Sequence, residues 1–230
     1  MNTNSNTYTI VYASIVVVLV AFLLAFVSSV LKERQNANVE LDTKKQILSS
    51  LNVDFENADP AALYEEIIKE DMIINSLGDT LAKEGGFYVK VADENAKDKL
   101  EDRQLPVFVA NVDGATKYVL PVRGNGLWGP IWGYVALDDD KNTIFGVYFS
   151  HQGETPGLGA EIAHEKFKKP FHGKHIMRNG EFASVRVVKP GKSDPNAEYV
   201  DGLSGGTMTS QGVDAMLMDG LSQYVVFLKK

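Results

Sequence analysis

Hydrophobic and polar residues alternate along this chain in three regimes, and each predicts a different kind of element. Met1 to Leu31 contain no Asp, Glu, Lys or Arg, and from Ile10 to Leu31 the polar side chains are confined to Tyr12, Ser14, Ser28 and Ser29. As a helix, that run extends about 33 Å, enough to cross a hydrocarbon core of about 30 Å. A cleaved signal peptide has a basic start and an apolar stretch of only about 7–15 residues, and this segment has neither feature. The pattern predicts a retained transmembrane helix over 10–31, preceded by a short tail over 1–9.

The second regime, 32–103, is polar and mixed. Ile47, Leu48 and Leu51 form an apolar patch that extends the helical pattern beyond the membrane run. Asp59-Pro60 reads as an N-cap followed by proline at the first helical position, and Leu63, Ile67 and Ile68 make one helix face. The charged residues that follow, to about Arg103, carry no readable pattern, so 32–103 is expected to be a helical connecting region.

In the third regime, 104–230, the period shortens to that of strands. Leu105 to Ser150 hold short runs rich in β-branched and aromatic residues, among them Val107, Val109, Tyr118, Leu120, Val122, Tyr134, Ile144, Val147 and Phe149. The acidic stretch Asp138 to Asn142 between two runs predicts a solvated hairpin turn. A short helix is expected from Ala160 to Phe167, a strand from Val185 to Val188, and a surface loop over Gly191–Asn196. Val213, Leu217, Leu221, Val225 and Leu228 recur at helical spacing and predict a final helix. The fold class is α+β: one transmembrane helix, then a domain with an antiparallel sheet packed by helices.

Charge and composition narrow the function. The 230 residues carry a formal net charge of −7 and no cysteine. An acidic chain is a poor binder of nucleic-acid phosphates, and the missing thiols exclude disulfides, thiolate nucleophiles and cysteine-ligated zinc or iron–sulfur centres. His151, His164, His172 and His175 lack metalloprotease spacing and read as solvated or hydrogen-bonded side chains, so no metal site is expected. No catalytic triad or glycosidase carboxylate pair is evident either.

Three glycine-bearing stretches remain. Gly124-Asn125-Gly126-Leu127-Trp128-Gly129 matches the letters of a dinucleotide fingerprint, but Pro130 and a β-rich run follow it where a helix must begin, so it is a false positive. Glu154-Thr155-Pro156-Gly157-Leu158-Gly159 combines a tight turn with a carboxylate and a hydroxyl, and its glycines let backbone approach a ligand. Asp201 to Ser210 place Gly205 and Gly206 among four hydroxyls, Ser204, Thr207, Thr209 and Ser210, ahead of the final helix. Such a turn suits a phosphate at a helix N-terminus; by spacing alone, Thr209 or Ser210 as an ordinary helix cap is the stronger reading.

The motif Asp201-x-x-Ser204-Gly205-Gly206-Thr207 resembles the flavinylation signature D-x-x-[S/T]-G-A-T, with Gly206 standing where alanine is usual. Together with Gly126-Leu127-Trp128 and Glu154–Gly159, it resembles the C subunit of the Na+-translocating NADH:quinone reductases, over nearly the whole chain. The G subunit of the related ion-motive ferredoxin:NAD+ complexes shares the Glu154–Gly159 and Ser204–Thr207 segments, whereas Gly126-Leu127-Trp128 is closer to the quinone reductases. A non-redox anchored assembly protein is the alternative from another class.

The resemblance implies an electron-relay subunit, with FMN joined to Thr207 by a phosphoester. It implies a cofactor environment built from Ser204, Gly205, Leu127, Trp128, Glu154, Thr155, Gly157 and Leu158, with no catalytic residue of its own. Other subunits of the complex and a flavin transferase are the implied partners. It also implies an inner-membrane protein with its FMN domain on the periplasmic side, whereas Lys32 and Arg34 after the apolar run weakly favour a cytoplasmic domain.

Overall fold

A computed structural model describes residues 5–230, which fall into two compact units, the first ending at Thr43 and the second spanning Lys44–Lys230. Helix α1 spans Asn6–Ser50. In the first unit its apolar side chains have no protein to pack against: Ile10, Val18, Phe22 and Leu24 are each at least 66% exposed. A helix this long and apolar is suited to cross a membrane, and lipid would cover the surface that protein leaves bare. It begins at Asn6, inside the expected tail over 1–9, of which 1–4 lie outside the described residues.

The second unit is organised around a six-stranded antiparallel sheet. Its strands are β1 (Ile68–Ile74), β2 (Thr80–Ala82), β3 (Leu105–Val112), β4 (Ala115–Asn125), β5 (Pro130–Leu137) and β6 (Ile144–His151), in the order β2-β1-β3-β4-β5-β6. Alternation along the strands gives the sheet two apolar faces. Leu120, Val122, Ile131, Val135, Val147 and Phe149 point into the larger core. The final helix α5 (Thr207–Ser222) covers that face and contributes Val213, Met216, Leu217 and Leu221. Close approach is possible because Gly220 lies against Val122 and Gly124 against Met216, where a methyl group would stand 2.8 Å from the nearest side-chain atom in each case. On the other face, Phe108, Ala110, Val119 and Ala136 pack with Ile47, Leu48 and Leu51 from the end of α1 and Tyr64 from helix α2 (Pro60–Ile67). Asp59 caps α2 as expected, accepting from Ala61 N at 3.0 Å.

The region 32–103 departs from the helical expectation. It supplies β1 and β2 to the main sheet, followed by a short helix α3 (Val91–Asn95). The charged run Lys69-Glu70-Asp71 conceals β1 in sequence, because one of those charges has a local use. Asp71 accepts from Gly85 N and Phe87 N at 3.2 and 3.1 Å and closes the turn after β2. The domain therefore extends well upstream of the expected boundary at 104.

The remaining elements are the short helix α4 (Glu165–Lys168), the hairpin β7 (Met177–Arg178) and β8 (Glu181–Phe182), and the parallel pair β9 (Val185–Val188) and β10 (Glu198–Asp201). Arg186 of β9 donates to both carboxylate oxygens of Asp214 at 2.9 and 2.7 Å, tying this pair to α5. The last apolar run splits at Tyr224, whose buried hydroxyl donates to Pro106 O at 3.2 Å, leaving a separate turn α6 (Val225–Leu228).

Candidate functional site

The registers Asn125↔Pro130 and Ile131↔His151 bring the β4–β5 hairpin loop and the chain leaving β6 to the same end of the sheet. The first turns of α5 arrive there too, since a side chain on Gly212 would meet Asn125 O and the Cα of Gly126. The three glycine-bearing stretches thus converge. The dinucleotide look-alike is a strand–turn–strand, closed by Gly126 N donating to Gly129 O at 2.8 Å.

At the junction lies Glu154, 5% exposed. Its Oε1 accepts from Trp128 N at 2.8 Å and its Oε2 from the Thr209 hydroxyl at 2.6 Å, while its own N–H donates to His151 Nδ1 at 3.2 Å. A methyl group on Gly126 would collide with Oε1, and one on Gly159 with Oε2 and the Thr209 hydroxyl. Both glycines are needed for the carboxylate to sit between the loops.

Above this buried joint the surface is apolar and open. Leu127, Trp128, Leu158 and Met208 are 52%, 68%, 43% and 56% exposed. Thr155 is also exposed, and its carbonyl accepts from Leu158 N and Ala160 N at 3.1 and 3.2 Å, which holds the Thr155–Ala160 turn closed. Gly157 takes a left-handed φ of 75° in that turn and donates to Glu161 Oε1 at 3.0 Å. The His164 ring beside Glu161, helped by the Gly157 N–H, holds the Glu161 carboxyl below its ordinary range.

The turn before α5 differs from expectation in its capping. Thr209 and Ser210 are not caps: α5 begins at Thr207, and Gly206 occupies the N-cap position without a side-chain bond. Thr209 and Ser210 are buried on the inner face, where the Ser210 hydroxyl accepts from Leu203 N at 2.8 Å. The helical period shows why. Counted back from Val213 and Met216, positions 209 and 210 belong to the buried stripe; extending that stripe upstream is the signal that would have revealed both residues. Thr207 and Ser204 remain exposed, and Ser204 lines a cleft with Leu203, Lys166 and Tyr199. The first helical bond, Ser210 N to Gly206 O at 2.9 Å, leaves the preceding N–H groups of the first turn without helical acceptors.

Gly206 also has a packing reason. A Cβ there would lie 3.0 Å from Leu203 Cβ and 3.2 Å from Leu158 O, so the turn is closed more tightly than alanine would allow without a small shift. Gly205 has φ +80° and lies against Leu158.

This arrangement fits a flavin mononucleotide. An exposed hydroxyl at a helix N-terminus, with free N–H groups and the positive end of the dipole, suits a phosphate. Exposed leucine, tryptophan and methionine beside it suit the apolar faces of a tricyclic ring. No group of residues able to hold a metal occurs among the described residues.

Fold and site together define the class: an FMN-binding domain preceded by a helix apolar enough to cross a membrane. Residues 126–222 match the FMN-binding domain family. The chain is 31% identical to the C subunit of the Na(+)-translocating NADH-quinone reductase of Pseudomonas aeruginosa, covering 100% of this chain and 98% of the relative. It is 32% identical to the same protein of Vibrio vulnificus over 80% of this chain and 78% of the relative. A crystal structure of the corresponding Parabacteroides distasonis protein superposes with a TM-score of 0.81 at 50% identity, covering 87% of this chain and 98% of that one. The chain belongs to the family formed by the C subunit of the Na+-translocating NADH-quinone reductase.

Proposed function

We propose that this chain is the electron carrier of its reductase complex, holding FMN covalently on Thr207. The observation that supports this most strongly is the place of Thr207. It is exposed, first in a 16-residue helix, and set where the Trp128 loop and the Leu158 turn converge. FMN supplies one- and two-electron redox chemistry, and the protein supplies orientation and electrostatics. Thr207 Oγ1 would form the phosphoester with a flavin nucleotide activated as a phosphoanhydride: the Oγ1–P bond would form as the anhydride P–O bond breaks, the other phosphate leaving and the hydroxyl proton passing to solvent, with a flavin transferase as the partner for that step. The N–H groups of the first turn hold the phosphate. Ser204 and Gly205 shape the turn, Leu127, Trp128 and Leu158 flank the ring, and Thr155 and Gly157 close the loop beside it. The other subunits of the complex deliver and accept the electrons.

Thr207→Val keeps β-branching and removes the nucleophile. Covalent flavin should vanish from the C-terminal peptide in mass spectrometry while the unfolding free energy stays within about 0.5 kcal/mol of the parent. An FMN adduct persisting on that peptide of the variant would mean that another hydroxyl carries it. We further assign the FMN domain to the periplasmic side, a large domain being translocated largely regardless of flanking charge. Protease added to intact spheroplasts should then digest residues after about 35 in the chain, the position where the apolar run has ended; protection until lysis would reverse the orientation.

A further inference from the structure

Both oxygens of the Glu154 carboxylate are engaged within the protein, one by the backbone N–H of Trp128 and one by the hydroxyl of Thr209. A residue so placed has little left to offer a ligand, and burial at 5% exposure keeps it below the open surface. It joins three segments far apart in sequence. Its partners stand 26 residues before it and 55 after it, and His151, three residues before it, orients its backbone.

Thr209 is two residues beyond Thr207 on the same helix, and Trp128 is the most exposed aromatic side chain of the ring surface. We propose that Glu154 is the positioning residue of the flavin site. It locks the Trp128 loop to the helix that bears Thr207, so that the ring surface and the attachment point keep one fixed spacing, and it does not itself contact the flavin. The inference rests on the flavin reading of the site and alters one part of it: Glu154 acts through Trp128 and Thr209.

Such a strut transmits. Removing the Thr209 hydroxyl should loosen the Trp128 amide although no bond joins the two residues directly. The test therefore uses the full chain in detergent, in a flavin-free Thr207→Val background, and follows amide hydrogen exchange at Trp128. Exchange should accelerate about tenfold in Glu154→Ala, the worth of one hydrogen bond. It should also accelerate in Thr209→Val. Glu154→Gln should restore protection, because its amide oxygen can accept from Trp128 N–H while its amide N–H donates to Thr209 Oγ1. Unchanged exchange in Thr209→Val would overturn the coupling, and that variant keeps the test open if Glu154→Ala does not fold.

A second arm uses flavinylated protein. Thr209→Val should retain FMN on Thr207 but lose most of the visible circular dichroism of the ring, and Glu154→Gln should keep it. Loss of that signal in Glu154→Gln, with Trp128 exchange unchanged, would show that the carboxylate touches the flavin. Absence of FMN from the parent chain would instead defeat the flavin reading and leave the exchange result standing.

Discussion

Strand β5 is bounded by two hairpin loops, residues 126–129 leading in and 138–143 leading out. The second bonds its own polar groups and ties itself to the domain, Asn142 accepting from Ile176 N at 3.0 Å and from Met177 N at 2.8 Å. Asp140 accepts from Asn142 N, Thr143 N and the Thr143 hydroxyl, Asp138 N donates to Thr143 O at 2.8 Å, and Lys117 pairs with Asp138. Lys141, with φ 55°, turns its ammonium over the Phe227 ring at 4.4 Å. The first loop has a single internal bond, leaves Leu127 and Trp128 exposed, and is pinned by a carboxylate 26 residues away. A loop that stabilises the fold spends its side chains on bonds and contacts within the domain; a loop that leaves large apolar side chains in solvent is shaped for a ligand. The two ends of one strand thus separate what folds the domain from what it does.

Breaking the folding end should have the larger effect on stability. Burial raises the cost of ionising Asp140, but the bonds from Thr143 and Asn142, with His175 nearby, outweigh it and hold the carboxyl below its ordinary range. A group depressed on folding contributes stability above its unfolded pKa, and that contribution is lost as pH falls through the folded value. Asp140→Asn should therefore cost about 1 kcal/mol at pH 7, after allowing for solvent screening at this exposed turn. The deficit should hold steady through neutral pH and shrink below about pH 3.8, the ordinary aspartate range. Urea unfolding at pH 7 and pH 3 measures it. Flavin content and ring dichroism should not change; an altered flavin signal would mean that the two loops are not independent.

Most of the sheet could be read directly, since Leu105 to Ser150 hold short runs of β-branched and aromatic residues and those runs became strands. Strand β1 was hidden because Asp71 faces a turn that no local pattern announces. At the site, the glycines and Thr207 were visible as motifs. The burial of Thr209 and Ser210 was legible only through the helical period, and the bond between Thr209 and Glu154 not at all, for a side chain's partner 55 residues away leaves no trace in spacing. A carboxylate in a glycine turn reads equally well as ligand or strut, and only burial and the two donors separate those roles.

At the functional end, the sharper experiment is the one with the smaller effect on folding. Trp128 is 68% exposed, and its tie to Glu154 runs through the backbone N–H, which alanine retains. Trp128→Ala leaves both hydrophobic cores intact, so the unfolding free energy should move by no more than about 0.5 kcal/mol, the usual range for a surface substitution. The flavin should respond instead. With the indole gone from the ring surface, the fluorescence yield of the bound FMN should rise, because an aromatic neighbour that quenches it has been removed, while covalent attachment at Thr207 persists. Steady-state flavin fluorescence on protein of known FMN content reads this directly. A stability loss as large as that of Asp140→Asn, with flavin fluorescence unmoved, would make Trp128 a packing residue and place both loops of β5 in the service of the fold.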